Sequence, residues 1–324
     1  MRARLLNLFF LCIILTLFFP ELGYTQEEIA NYPTRPITFI IPIPPGNASD
    51  LACRLIAKEA EKYLKQPLVP LNKSGGGLTI GTAAIATAKP DGYTIGMSAQ
   101  SPLFVAPHLE TVPYHPVKDL KQIIQFAAFN FGMVVKQDSP FKDFREIIAY
   151  SRQNPKKPIT YGCAPNSISH LIMQQIARKE NVQLTLLPSK GTSESEISLL
   201  GGHLDLAVAD FSYSLIEAGQ TRLLLLFREE RSAEYPQTPI LKDLGYDIPC
   251  PMFIGIQGPK DLPEGIVKKL EEVFTKAMKE ETFIKGMKSV HYSILHRNSK
   301  ELGEYVSRNY DAFGKMIKAM GLAK

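Results

Sequence analysis

The feature that most constrains this chain is a recurring unit: a short apolar run without polar alternation, a loop rich in Gly, Ser, Asn or Thr, then a segment with helical spacing. Apolar runs buried on both faces and alternating with helices specify strands joined by crossover helices, which is an α/β fold built on mostly parallel sheet. Residues 37–43 form the first such run, and the loop 44–50 opens into a helix over 51–64, where Leu51, Ala52, Cys53, Leu55 and Ile56 share a face. Further strands are predicted at 67–71, 93–97, 131–136, 159–163, 183–187, 204–209, 223–227 and 253–257. Helices are predicted at 80–88, 144–152, 169–178, 194–200, 214–218, 264–279 and 300–320, the last behind the cap pair Asn298-Ser299. The units fall into two blocks without an internal sequence repeat. One lobe is expected from 26–126 together with 228–324, the other from 127–227. Two chain crossings between the lobes would make a hinge with a ligand cleft beside it.

The amino terminus predicts export. Arg2 and Arg4 precede an apolar run over 5–19, Pro20 and Glu21 end it, and the small residues Gly23 and Thr25 offer a cleavage point near Gln26. That is the layout of a secretory signal peptide over 1–25. The run falls short of the about 18 apolar residues that a membrane span needs, and Cys12 follows the bulky Leu11, which does not suit a lipoprotein cleavage point. The expected product is soluble and periplasmic. Its net charge of +5 comes from 37 basic and 32 acidic residues intermixed along the chain, unlike the clustered Lys and Arg of a nucleic-acid binder. After processing, Cys53, Cys163 and Cys250 remain, an odd number that leaves at least one unpaired. They lack metal-ligand spacing, so neither a metal nor a cofactor is expected.

Chemistry should sit at the carboxyl ends of the strands, where open α/β sheets bind their ligands. Four loops there open directly into helices: 44–50 with Asn47, Ala48, Ser49 and Asp50; 74–79 with Gly76 and Thr79; 163–170 with Ser167, Ser169 and His170; and 188–193 with Ser189 and Lys190. Each loop presents unpaired N–H groups and the positive end of a helix dipole, the natural seat of a carboxylate or phosphate. Any one alone reads as an ordinary helix cap; four on consecutive units read as an anion cleft, with Lys190, between Pro188 and Gly191, as its cation or else a solvated loop charge. Gly75-Gly76-Gly77 is not a P-loop, because no Gly-Lys-Ser/Thr follows, and Gly75, Gly77 and Gly81 miss the dinucleotide spacing. Ser167, His170 and Asp210 could be imagined as a triad, but no nucleophile elbow surrounds the serine. His203, in the Gly201-Gly202-His203 turn, reads as a solvent-exposed side chain.

At these loops the sequence resembles the substrate-binding receptors of tripartite tricarboxylate transporters, the Bug/TctC family, over residues 32–321. The resemblance rests on Tyr32-Pro33-Thr34-Arg35-Pro36-Ile37, on Pro90-Asp91-Gly92-Tyr93-Thr94, on Leu199-Leu200-Gly201-Gly202-His203-Leu204-Asp205-Leu206, and on the stretch from Arg231-Ser232 through Pro236 and Pro239 to Gly245-Tyr246. It implies a two-lobed periplasmic-binding-protein type II fold, a non-enzymatic receptor for a small organic anion, and permease subunits as partners of a monomeric protein. A sensory receptor using the same cleft is the alternative. Carried over by position, Asn47 to Asp50, Gly76, Thr79, Ser98 and Ser101 would line one lobe, and Ser167, Ser169, His170, Ser189, Lys190 and Asp210 the other. This chain departs from the family pattern where Asn47 replaces a glycine, Leu78 replaces a glycine and Ser189 replaces an aromatic, so the family's usual ligand does not carry over with the fold.

Overall fold

The computed structural model describes residues 26–232 and 234–324; the signal peptide expected over 1–25, and Cys12 within it, lie outside the described residues. Among the described residues eleven strands form two sheets. In chain order they are β1 (Ile37–Ile41), β2 (Leu68–Asn72), β3 (Thr94–Ala99), β4 (Leu120–Ala128), β5 (Phe131–Lys136), β6 (Ile159–Cys163), β7 (Leu184–Pro188), β8 (Leu206–Asp210), β9 (Thr221–Leu226), β10 (Ile254–Pro259) and β11 (Ser293–Arg297). The first sheet runs β11-β4-β10-β3-β1-β2 and the second β7-β6-β8-β5-β9. Apart from β11 the two share one plan. A parallel trio in the order second-first-third is followed by an antiparallel insert, β10 or β5, and then by the fourth strand.

The inserts make each mostly parallel sheet a mixed one. Each enters its sheet after a crossing from the other one, so it arrives from the opposite direction. The first crossing is the pair Phe129 and Asn130, between β4 and β5. Past β9, Glu229 accepts from Tyr305 of the helix Ser299–Ala319 at 2.9 Å. Ile240 then bridges Leu226, and Tyr246 packs edge-on against Phe144 and donates to Glu180, so the chain touches the second sheet again before β10.

β4 and β11 escaped sequence reading. Gln122 and Gln125 break the apolar run of β4, but the fold satisfies them in place. Ser98 Oγ donates to Gln122 Oε1 at 2.7 Å, and Gln122 Nε2 donates to Gln257 Oε1 at 3.1 Å, all within the buried face of β3, β4 and β10. The helix Glu281–Ser289 was also unforeseen. Together with Glu264–Ala277 it packs on the helix Ala48–Leu64, and the helix Ser299–Ala319 covers β4. Asn298 caps that last helix through a reciprocal pair with Glu301. Cys53, Cys163 and Cys250 are all buried and unpaired. Burial raises the Cys163 and Cys250 thiols to about 12 and Cys53 further, so none is a ready nucleophile.

Gly81 sets how closely the helix Thr79–Ala86 approaches the cleft loops. A Cβ there would lie 2.6 Å from Pro42 Cβ and 2.7 Å from the Lys73 carbonyl oxygen. Backbone cannot give way as a side-chain tip can. Gly81→Ala is therefore expected to destabilise by about 2 kcal/mol, read as a lowered urea midpoint at unchanged m-value.

Candidate functional site

The four loops converge in pairs and not as one continuous wall. Loops 44–50 and 188–193 meet at a cavity of about 670 Å³, completed by Asn130 at the first crossing, the segment after β8 and residues 289–292. Loops 74–79 and 163–170 meet at a second cavity of about 420 Å³. Both cavities are lined from both sheets.

Of the predicted residues, Asn47, Ala48, Ser49 and Asp210 line the larger cavity, while Gly76, Ser101 and Ser167 line the smaller. The other seven line neither. Ser98 is sealed in the sheet by its bond to Gln122. Thr79 turns back to donate to the Gly76 carbonyl. Ser169 is buried behind the helix start, and Ser189 is buried against Ser195 Oγ at 2.6 Å. Lys190 is exposed, with its backbone N–H on Glu194. The ring of His170 is taken up locally: Nδ1 accepts the Asn166 N–H, and Nε2 faces the Gln174 side-chain amide at 2.9 Å. Burial lowers its pKa, which keeps it neutral. With Ser167 only capping the His170 N–H, and Asp210 on the other cavity, the imagined triad is not assembled.

Asp50 supports the larger cavity from behind. Its carboxylate accepts from the Gly46 N–H, from Arg54 Nε and from Asn72 Nδ2, each at 2.9 Å. Burial alone would raise this carboxyl, but the donors from Arg54, Asn72 and Gly46 hold it below the ordinary carboxylate range. The result is a rigid loop in which Asn47 Oδ1 caps the Asp50 N–H. The amides of Ala48 and Ser49 are left without a partner among the described residues.

Across the cavity the helix Thr192–Leu200 begins at Gly191 with no side-chain cap, so its first amides, at Thr192 and Ser193, are equally free. Two helix N-termini from opposite sheets thus face the same space, and no Lys or Arg lines it among the described residues. The neighbouring turn at Ser212 is closed to anions, because Glu196 already accepts both its N–H and its Oγ–H.

Sequence reading missed the floor of this cavity. Tyr292 Oη lies 3.0 Å from Ser49 Oγ and donates to Asp210 Oδ2 at 2.5 Å, linking the two sheets. Asn130 Nδ2 donates to the His291 carbonyl, and the His291 ring stacks on Tyr213 at 4.2 Å. A polar Asn130 between Phe129 and Phe131 was a visible signal. Tyr292 offered none, since it reaches the site from far along the chain. Leu78, at the glycine position of the second loop, is held at φ 79°, a left-handed conformation costly for a branched side chain.

The model of the tripartite tricarboxylate transporter family receptor, TctC, matches residues 52–322. A Cupriavidus necator protein, described as the UPF0065 protein in the gbd 5' region, is 36% identical over 92% of this chain and 91% of its own length. Protein BugT of Bordetella pertussis is 27% identical over 87% of this chain and 88% of its own. A solved TctC solute-binding protein from Polaromonas superposes with a TM-score of 0.77 at 25% identity, covering 89% of this chain and 99% of that one. A match over most of the sequence and a shared fold place this chain in the tripartite tricarboxylate transporter receptor family.

Proposed function

We propose that this chain is an exported, non-enzymatic receptor that captures a small organic anion in its larger cavity and delivers it, as a monomer, to the permease subunits of a tripartite transporter. The two sheets with their helices act as lobes hinged at Phe129–Asn130 and in residues 247–253. One observation carries the reading: the helix starts at Ala48 and Thr192 point four free amides at one cavity from opposite sheets. Such donors hold carboxylates without a cationic side chain, and a guest held from both sides draws the sheets together. Ser49, Thr192, Ser193, Asp210 and Tyr292 are the residues we assign to guest contact. Two Rhodopseudomonas palustris proteins of this fold hold malate and adipate; at 22% and 23% identity they speak for the fold alone.

Calorimetry against mono-, di- and tricarboxylates tests the reading, and Ser193→Glu sharpens it. Ser193 is exposed at the second position of its helix, where an acid favours the helix dipole and leaves folding intact. The same acid would occupy the free amides and repel an anion. The expected result is an unchanged or higher melting temperature with affinity lowered by at least about 30-fold. Unaltered affinity would remove the helix start from the site.

A further inference from the structure

We propose that Asp210 meets the guest as a neutral carboxylic acid, so that the receptor takes up one proton with each anion it captures. The inference deepens the anion-capture reading and rests on it.

The larger cavity is lined by one carboxylate, Asp210, and by no Lys or Arg among the described residues. The groups around Asp210 can be followed element by element. From the helix Ala48–Leu64 come Ser49 and Cys53, while Arg54 is committed to Asp50 and Asn72. The crossing contributes Asn130, whose backbone N–H supports the Asp210 carboxylate. From residues 289–292 come His291, stacked on Tyr213, and Tyr292, whose hydroxyl is on Oδ2. The helix Thr192–Leu200 contributes Glu196, a second acid held by Ser212. The segment after β8 adds Tyr213, whose hydroxyl goes to Glu234. Apart from the His291 ring and the committed Arg54, every ionisable group in this set is an acid, a phenol or a thiol.

Burial and its neighbours already strain the charged form. Burial raises the Asp210 carboxyl most, Tyr292 and the Asn130 amide pull it back, and Glu196 raises it again, leaving it at about 7. Tyr292 cannot neutralise it, because burial and Asp210 itself push the phenol well above its usual range. A guest carboxylate entering the same poorly solvated space adds a further negative charge, and two carboxylates sharing such a site cannot both stay ionised. A proton from solvent settles the conflict. With Oδ2 accepting from Tyr292, the added proton sits on Oδ1, and that O–H donates to the guest. When the guest leaves, the proton returns to water.

The test uses the purified chain with malate and adipate as probes, from pH 6.5 to 8.5, where both guest carboxylates are ionised. Wild-type affinity should fall by about 20-fold across that range, and calorimetry at pH 8 in buffers of different ionisation enthalpy should report close to one proton taken up. Asp210→Asn, whose amide donates at every pH, should hold affinity within about threefold over the range. His291→Asn, suited to the left-handed backbone at that position, should keep the wild-type slope. A flat wild-type profile, proton release, or a slope that disappears in His291→Asn and persists in Asp210→Asn would overturn the inference and leave anion capture standing. No binding of either probe or of any other carboxylate across the range would overturn both.

Discussion

Asp50→Ala is expected to lower stability by about 3 kcal/mol and to cost more than about tenfold in guest affinity. The carboxylate is 1% exposed and joins three separate pieces of chain, the Gly46 amide, the Arg54 guanidinium and the Asn72 side-chain amide. Hydrogen bonds to a charged acceptor contribute about 1.5–3 kcal/mol each, but the three do not add. Arg54 is 40% exposed and recovers water, and it keeps its bond to Asn72 Oδ1 at 2.7 Å. A melting temperature lower by roughly 6–10 °C would match that loss. The sign with pH is fixed by the depressed pKa of Asp50. Its stabilisation is fully present above the unfolded value of about 4 and is lost as pH falls through the lower folded value. The gap between wild type and variant should therefore stay constant from pH 5 to 8 and close only in stronger acid. Affinity falls because the same carboxylate shapes the turn that presents Ala48 and Ser49. A variant that melts like wild type would show that the loop holds itself without Asp50.

That loop also shows how far sequence can be read. Asn47, Ala48, Ser49 and Asp50 were all legible as a helix start, because capping is local and each role is set within four residues. What was not legible was the direction in which each side chain turns. Asn47 and Asp50 face into the loop, and the amides of Ala48 and Ser49 are what the cavity receives. The same limit explains Ser98, whose sequence position at a strand end suited a cleft wall but whose hydroxyl belongs to the Gln122 and Gln257 network. β4 was hidden for the converse reason. Its glutamines look like surface residues until the strands that satisfy them are in place, and those strands lie far off in sequence. Tyr292 marks the outer limit of local reading. It lies 82 positions beyond Asp210 and 243 beyond Ser49, so only the antiparallel pairing of β11 with β4 brings it to the cavity floor.

Asp210 reverses the argument made for Asp50. Its carboxyl is raised to about 7, with burial as the main cause, so the folded chain holds a proton there that the unfolded chain releases. Stability must then decline as pH rises from about 4 to about 7 and level off above, since the unfolded state binds fewer protons in that window. Three pK units correspond to at most about 4 kcal/mol, and the partial opening of Asp210 to the cavity should roughly halve that. Asp210→Asn keeps an acceptor for Tyr292 and removes the charge. The variant should match wild type near pH 4, gain through neutrality, and exceed it by about 2 kcal/mol at pH 8.5, or roughly 4–8 °C in melting temperature. Thermal unfolding without any guest across pH 4–8.5 measures this directly. Equal stability at both ends would mean that Asp210 is ionised at little cost in the empty receptor, and that the proton proposed to accompany the guest has no reason to bind. Such a result would leave the free amides of the two helix starts as the whole of the anion site.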